Sequence, residues 1–174
     1  MIEIIDNYLP QREYDTIRAY FEGDMDGGAT HNSCTWMYYP GITLDNDGHF
    51  QFVQLIFSQY TILSDSFNLL SPIIQKERMC SIARIKANCV IKTPEIIEFT
   101  QGFHTDFNSD LMTGIYYINS NDGYTLFEDG TKCESVANRF CRFPARTKHT
   151  GTTCTNTNRR LVLNFNYSTY DTDN

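Results

Sequence analysis

The chain has 174 residues, a length typical of one domain that can bury a core without help from disulfides. Aromatic residues make up 14% and charged residues 20% of the sequence, a composition that excludes an intrinsically disordered chain. The formal net charge of −7 gives no electrostatic reason to expect a nucleic acid as partner. We therefore expect one domain over residues 1–174 that does not bind nucleic acid.

The sequence contains no apolar run of about 18 residues that could span a membrane. Its first residues also lack the basic and apolar regions of a signal peptide, so we expect a soluble, cytoplasmic protein. In that reducing compartment we expect free thiols, although Cys133 and Cys141 lie where a hairpin could bring them together. The six cysteines are Cys34, Cys80, Cys89, Cys133, Cys141 and Cys154.

The first half of the chain, residues 1–80, is predicted to be a mostly helical support with a long loop. Residues 2–5 suit a short strand, and apolar residues recur at helical spacing between Pro10 and Gly23. The apolar run 50–60 is also predicted as a helix. Residues 64–78 suit one or two more helices, with Ser71-Pro72 at a helix start.

Residues 22–49 are rich in turn formers, and a loop of this length in a compact domain is usually functional. Its aromatic cluster, residues 36–39, suits the entrance of a substrate site and a cap on the core equally well. His31 and His49 lie in this loop without a carboxylate at strand spacing. We therefore expect both to be surface histidines rather than ligands.

From residue 81 onward the sequence breaks into short segments with strand patterns. Residues 82–91 alternate apolar and polar side chains, and turn residues separate the segments that follow. These segments are 102–107, 113–119, 124–127, 131–136, 140–143, 148–153 and 160–167. Eight short strands favour two four-stranded sheets in a jelly roll. The predicted fold is α+β, mainly β: N-terminal helices on a double-stranded β-helix (jelly-roll) core over 81–168.

His104 and Asp106 are two residues apart in a predicted strand, so their side chains would point to the same face. One more ligand would complete a set of two histidines and one carboxylate, which is typical of non-haem Fe(II) oxygenases. His149 is the candidate, since the second and seventh strands of a closed eight-strand fold can be neighbours. The spacing alone leaves open that His104 and His149 are unrelated.

The last predicted strand adds a candidate for anion binding. At a period of two, Arg160 shares a largely polar face with Val162, Asn164 and Asn166. An arginine binds a carboxylate with two parallel hydrogen bonds, so Arg160 suits a dicarboxylate whose other end chelates a metal. The alternative is a solvated arginine on an edge strand.

The order His104-x-Asp106, His149 and Arg160 resembles the Fe(II)- and 2-oxoglutarate-dependent dioxygenases. The resemblance is strongest to their prolyl-4-hydroxylase-like branch and to small oxygenases encoded by tailed phages. Residues 113–119 are similar to a core strand of that family, and residues 123–127 to its Gly-x-Thr-x-Phe segment. Together these motifs cover about residues 82–168.

The resemblance implies a role for each site residue. The Fe(II) ligands would be His104, Asp106 and His149. Arg160 would hold the distal carboxylate of 2-oxoglutarate, with the adjacent Arg159 as the alternative. Tyr117 is implied near the same carboxylate, and Thr125 is implied in the cavity wall. The sequence departs from the family at Lys86 and Asn88, where a tyrosine is common.

The implied activity is hydroxylation of an unactivated C–H bond with O2, releasing succinate and CO2, and with ascorbate as an optional reductant. The first choice of substrate is a prolyl or other side chain of a protein or peptide, and the alternative is a free amino acid or small metabolite. Nucleic-acid demethylases of the AlkB type have a second arginine where this chain has Asn166. A phage-encoded protein of this kind would work in the host cytoplasm.

Two hypotheses from other classes stay open at this point. One is a jelly-roll module that binds a metal without turnover, and the other is a zinc hydrolase. The presence of Arg160 favours the oxygenase over the silent module. The hydrolase is disfavoured because the sequence offers no general base beside the three ligands.

Overall fold

The computed structural model describes residues 1–23, 34–42 and 48–170. Its strands are β1 (Glu3–Ile5), β2 (Met37–Tyr39), β3 (Gln51–Ser58), β4 (Thr61–Ile62), β5 (Met79–Ile91), β6 (Met112–Tyr117), β7 (Tyr124–Phe127), β8 (Lys132–Glu134), β9 (Arg139–Pro144), β10 (His149–Gly151) and β11 (Arg159–Thr169). Its α-helices are α1 (Gln11–Glu22) and α2 (Ser71–Lys76), and short 3-10 helices span Asp65–Leu70 and Thr100–Gly102.

The described strands form two antiparallel sheets. The large sheet has the order β1-β9-β6-β11-β5-β3-β2, with β4 paired to β3, and the small sheet has the order β10-β7-β8. The prediction of a mainly β, jelly-roll fold is confirmed, but the predicted four-plus-four arrangement is wrong. The large sheet has eight strands because four strands from the N-terminal half extend it.

Strand β3 is the main correction to the predicted elements, because residues 50–60 were expected to be a helix. It lies between β2 and β5 in the large sheet, and both of its faces are largely covered. A strand covered on both faces reads as a continuous apolar run, which periodicity cannot distinguish from a buried helix. The following two-residue turn has positive φ at Gln59 (48°) and Tyr60 (59°), without the Asn-Gly signal of such turns.

Strands β2 and β4 were also not predicted, β2 because residues 22–49 were expected to be a loop, whereas β1 and the helices agree with their predictions. Helix α1 follows Pro10 and buries Tyr14, Ile17 and Phe21. It ends at Gly23, whose φ of 78° is in the region that favours glycine and whose N–H donates to the Ala19 carbonyl at 3.1 Å. Segment 64–78 forms the 3-10 helix and α2. No helix in the described ranges is long and apolar enough to cross a membrane.

The main core lies between α1 and the outer face of the large sheet. Strand β11 contributes Leu161, Leu163 and Phe165 to this core, all fully buried, and directs the intervening residues toward the small sheet. The two faces of this strand therefore separate the core from the space between the sheets. All six cysteines are free thiols, as predicted.

Gly114 on β6 tests how tightly this core is packed. A Cβ at Gly114 would lie 2.3 Å from Cζ of Phe140, whose ring is stacked on Tyr8 at a centroid distance of 4.5 Å. We predict that Gly114→Ala lowers the free energy of unfolding by about 1–3 kcal/mol, measured by urea denaturation. Phe140→Leu removes the clashing atom, so the double variant should lose less than the sum of the single losses. A strictly additive double variant would contradict this explanation.

Candidate metal and anion site

Three candidate ligands lie together between the two sheets. The ligating atoms of His104, Asp106 and His149 all lie within 4.8 Å of one another. His104 and His149 face each other as an isolated antiparallel pair, with N–H to carbonyl distances of 3.1 and 3.0 Å in the two directions. The structure therefore brings the two histidines together across the fold.

The segment that carries His104 and Asp106 is not the strand that the sequence predicted. Residues 102–107 follow a 3-10 turn, closed by the Gly102 N–H donating to the Phe99 carbonyl at 2.8 Å. Only His104 then pairs with another strand. A single bridge is enough to align the two histidines, but it is too short to propagate a ladder.

Both histidine rings are oriented by backbone carbonyls. His104 Nδ1 lies 2.9 Å from the Gly102 carbonyl oxygen, and His149 Nδ1 lies 3.0 Å from that of Thr147. In each case the carbonyl oxygen lies two residues before the histidine and requires a proton on Nδ1. This tautomer leaves the Nε2 lone pair of each ring available to a metal.

Asp106 is held by three hydrogen bonds. Arg84 Nη2 donates to Oδ1 at 2.8 Å, while Thr113 Oγ1 and Asn166 Nδ2 each donate to Oδ2 at 3.0 Å. Burial alone would raise the pKa of Asp106, but the charge of Arg84 and these hydrogen bonds lower it overall. Burial lowers the pKa of His149. The site thus presents an ionised carboxylate and a neutral imidazole, the states that bind metals.

Arg160 forms the other end of the site. It is 3% exposed, and its Nε and Nη2 donate to Ser135 Oγ at 2.8 Å and to Thr125 Oγ1 at 3.1 Å. Its Nη1 makes no hydrogen bond, and no carboxylate pairs with the guanidinium anywhere in the described residues. Burial lowers its pKa, as expected for a buried cation without a partner of opposite charge.

Two glycines make room for this guanidinium. A Cβ on Gly123 would lie 2.8 Å from Cδ of Arg160 and 2.6 Å from the carbonyl oxygen of Thr153. A Cβ on Gly151 would lie 3.6 Å from Arg160 Nη1, so this nitrogen lies beside β10. The guanidinium of Arg160 therefore lies beside Gly151, two residues after His149 on β10.

Thr125 and Tyr117 complete the surroundings of Arg160. Tyr117 donates to Thr125 Oγ1 at 2.8 Å, and the Arg160 Cζ lies 5.7 Å from the centroid of its ring. Thr125 Oγ1 accepts from both Tyr117 and Arg160, so its two lone pairs are used and its proton is left for the cavity. Thr125 thus lines the cavity, while Tyr117 is fully buried behind it.

Arg159 points away from this site. Its Nη2 donates to the carbonyl oxygen of Glu22 at the end of α1, on the opposite face of the large sheet. Adjacent residues on a strand face opposite sides, so only Arg160 of the pair can line the cavity.

The cavity between the sheets has a volume of about 270 Å³ and includes His104, Asp106, His149, Thr125 and Arg160 in its lining. Strand β10 pairs His149 with Phe127 and Gly151 with Thr125. These two register positions are roughly 7 Å apart along the strand. The metal-ligand cluster and the cation therefore lie at a separation that a short dicarboxylate can span.

No protein-family model matches the sequence, and no curated protein matches it. Solved structures do match its fold. An oxidoreductase of the 2OG-Fe(II) oxygenase family from Burkholderia pseudomallei superposes with a TM-score of 0.63 at 14% identity, over 96% of this chain and 85% of that one. The chain has the fold of the 2-oxoglutarate/Fe(II) oxygenases.

Two further structures with this oxygenase fold carry informative ligands. A prolyl hydroxylase from Trichoplax adhaerens, in complex with a hypoxia inducible factor peptide, has a TM-score of 0.55 at 12% identity, over 95% of this chain and 82% of that one. HygX from Streptomyces hygroscopicus, with nickel and 2-oxoglutarate bound, has a TM-score of 0.56 at 9% identity, over 98% of this chain and 83% of that one.

Three residues that hold the side chains of this site in place were not predicted from the sequence. Arg84 and Thr113 hold Asp106, and Ser135 holds Arg160. Arg84 shares the period-two face of Lys86 and Asn88, which was a usable signal. Ser135 had no signal, because it lies just beyond β8 and reaches Arg160 only through the folded structure.

The loop predictions have mixed outcomes. In the aromatic cluster 36–39, Trp36 packs against the core and Tyr39 lines the cavity, so the cap on the core is confirmed for Trp36 and the entrance of a substrate site stays a prediction for Tyr39. His49 is partly buried against Phe99, at a ring-centroid distance of 5.3 Å, and lies outside the ligand cluster. His31 lies outside the described residues.

The ligand geometry predicts binding of one divalent metal ion. We expect His104→Ala to abolish stoichiometric Co(II) or Fe(II) binding, measured by calorimetry under anaerobic conditions, because it removes one of three ligands. Asn166→Ala should weaken binding by about 10–100-fold, since it removes a hydrogen bond that orients Asp106. His49→Ala is the matched control and should bind as the wild type does. Equal losses from His49→Ala and His104→Ala would contradict the assignment.

Proposed function

We propose that the protein is an Fe(II)- and 2-oxoglutarate-dependent dioxygenase that hydroxylates an unactivated C–H bond. One observation carries the proposal: a buried guanidinium without a carboxylate partner lies in the same cavity as a cluster of two histidines and one aspartate. A buried cation is costly unless it is paired. A dianionic co-substrate would supply the missing charge.

The donor set suits Fe(II). His104 and His149 offer Nε2 lone pairs, and Asp106 offers an ionised oxygen, so the three would hold the metal on one face. Because only three protein groups would bind the metal, it would stay accessible to a co-substrate. A catalytic zinc ion would also accept three ligands, but a hydrolase needs a general base. Asp106 is the only carboxylate that lines the cavity in the described structure.

The cavity suits 2-oxoglutarate. Arg160 Nη1 and the Thr125 hydroxyl are free to donate to its distal carboxylate, while its keto and adjacent carboxylate oxygens would reach the metal. Ile115 and Val162 line the space between and would pack on the methylene groups. When bound, iron and 2-oxoglutarate supply the oxidising chemistry, in which O2 is consumed and succinate and CO2 are released, with ascorbate as an optional reductant.

The protein's own contribution is to bind and orient. No side chain has to act as acid or base, which fits a cavity with one carboxylate already committed to the metal. Arg84, Thr113 and Asn166 fix the direction of the Asp106 carboxylate. The cavity of about 270 Å³ is near the lower end of the roughly 300–1,000 Å³ of most ligand pockets.

The proposed substrate is a prolyl or other side chain of a protein or peptide. The cavity volume of about 270 Å³ is compatible with this choice, because only the side chains of a larger substrate would have to enter it. The peptide bound to the Trichoplax prolyl hydroxylase gives a precedent in the same fold. A free amino acid or small metabolite is the alternative and would fit the same space.

The position of Arg160 predicts how 2-oxoglutarate binding responds to mutation. Under anaerobic conditions, Fe(II) and 2-oxoglutarate should give a weak visible charge-transfer band. Arg160→Ala should raise the 2-oxoglutarate concentration at half-maximal band by about 30-fold or more, because the buried carboxylate loses its cation. Iron binding, measured separately, should be unchanged. Arg159→Ala is the control and should behave as the wild type does, since Arg159 contacts α1.

Two outcomes would contradict these assignments. An intact protein that shows no band and releases no succinate with any substrate mixture is not a 2-oxoglutarate oxygenase. An effect of Arg159→Ala equal to that of Arg160→Ala would show that Arg160 is not the anchor.

A further inference from the structure

The cavity contains a second cation that the proposed chemistry does not use. Lys86 lines the cavity from β5, is partly buried, and makes no hydrogen bond or ion pair in the described structure. Burial lowers the pKa of its ammonium to about 8; the charge of Arg84 acts in the same direction and that of Asp106 opposes it. Lysines that lose water in this way usually gain a partner.

The other charges of the cavity are already committed. Arg84 donates to Asp106 Oδ1 at 2.8 Å and, through Nε, to Asn166 Oδ1 at 3.1 Å. Under the proposed function, Asp106 binds the metal and Arg160 binds the distal carboxylate of 2-oxoglutarate. The ammonium of Lys86 is the positive charge that remains.

Two carboxamides without partners lie beside Lys86. Asn164 is opposite Lys86 in the β5–β11 register, and Asn88 is the next cavity-facing residue of β5. Neither side chain makes a hydrogen bond within the described residues. Lys86, Asn88 and Asn164, which we call the lysine subsite, therefore offer one ammonium and two amide groups to a ligand in the cavity.

The lysine subsite is separate from the proposed path of 2-oxoglutarate. Two partners of Arg160, Thr125 on β7 and Ser135 just beyond β8, belong to the small sheet, and the third, the ring of Tyr117, is on β6. Lys86 lies on β5, on the other side of β11, toward β3 and β2. The cavity lining on that side continues to Gln51 and Tyr39. A substrate can therefore occupy the β5 side of the large sheet while 2-oxoglutarate extends along β10 of the small sheet, from His149 to Arg160 beside Gly151.

We infer that the lysine subsite binds a carboxylate of the substrate, so that this enzyme acts on an acid or on a residue next to an acidic side chain. The inference rests on the proposed function and adds the class of substrate. An ammonium flanked by amide N–H donors matches a carboxylate and leaves a neutral amide with weaker interactions. The net charge of −7 opposes general attraction of acids, so a preference for them must come from this local group.

The test uses matched pairs of ligands that differ only by acid and amide. One arm uses short peptides with Asp or Asn, and with Glu or Gln, on either side of a proline. The other arm uses aspartate with asparagine and glutamate with glutamine. Binding to the anaerobic protein with Fe(II) and 2-oxoglutarate is measured by calorimetry and by the shift of the visible band. In at least one pair, the acid should bind about tenfold more tightly than its amide.

Mutation then connects the preference to Lys86. Lys86→Met should reduce the acid-to-amide ratio to within about twofold, while Lys86→Arg should retain most of it. Lys92→Met is the matched control, because Lys92 is exposed just beyond the end of β5. Asn88→Ala provides a second variant and should lower the ratio in part. The arm that shows the preference identifies the carboxylate as that of a peptide or of a free acid.

Several results would overturn the inference. These are equal binding of acid and amide in every pair, no binding of any acid, or a preference that survives in Lys86→Met. A loss of 2-oxoglutarate affinity in Lys86→Met as large as that in Arg160→Ala would assign Lys86 to the co-substrate instead. Failure of the proposed function is distinguishable, since it would appear as the absence of the band and of succinate in the wild type.

Discussion

The register of β11 is the constraint on which both the core and the site depend. Its ladders with β5 and β6 direct Leu161, Leu163 and Phe165 into the core and direct Arg160 and Asn164 into the cavity. A slip by one residue would exchange the two faces of the strand. The buried leucines and phenylalanine oppose such a slip, so the packing energy of the core also fixes the position of Arg160 in the cavity.

The same alternation explains why so much of the C-terminal half could be predicted. Strands β5, β6 and β11 each have one face in the core and one toward the cavity, so apolar and polar residues alternate along β5 and β11, and Arg160 could be separated from Arg159 by phase alone. Strand β3 could not be predicted, because both of its faces are covered and its sequence therefore does not alternate between apolar and polar residues. The pairing of His104 with His149 and the hydrogen bonds of Arg84 and Thr113 to Asp106 depend on tertiary contacts, which no local pattern contains.

The charged side chains around the cavity destabilise the folded protein when no ligand is bound. Arg84, Lys86 and Arg160 face the cavity, and Asp106 is the single carboxylate among its described lining residues. Buried charges of one sign repel one another and lose hydration. A bound anion would offset the repulsion between these cations and their lost hydration. Anionic ligands are therefore expected to raise the free energy of unfolding when they occupy the cavity. The cavity is thus locally positive in a protein whose overall charge is −7.

The attachment of each histidine ring to the carbonyl two residues before it has a consequence for metal exchange. Neither ring needs the metal to set its tautomer or direction, and the carboxylate of Asp106 is fixed by its own three donors. The three ligands should therefore keep their positions when no metal ion is bound. A structural zinc site differs, because its polypeptide unfolds without the metal. The identity of the metal bound by the three ligands would then depend on which metal ions are available and on the preference of the ligands for each of them, and not on coupling between metal binding and folding.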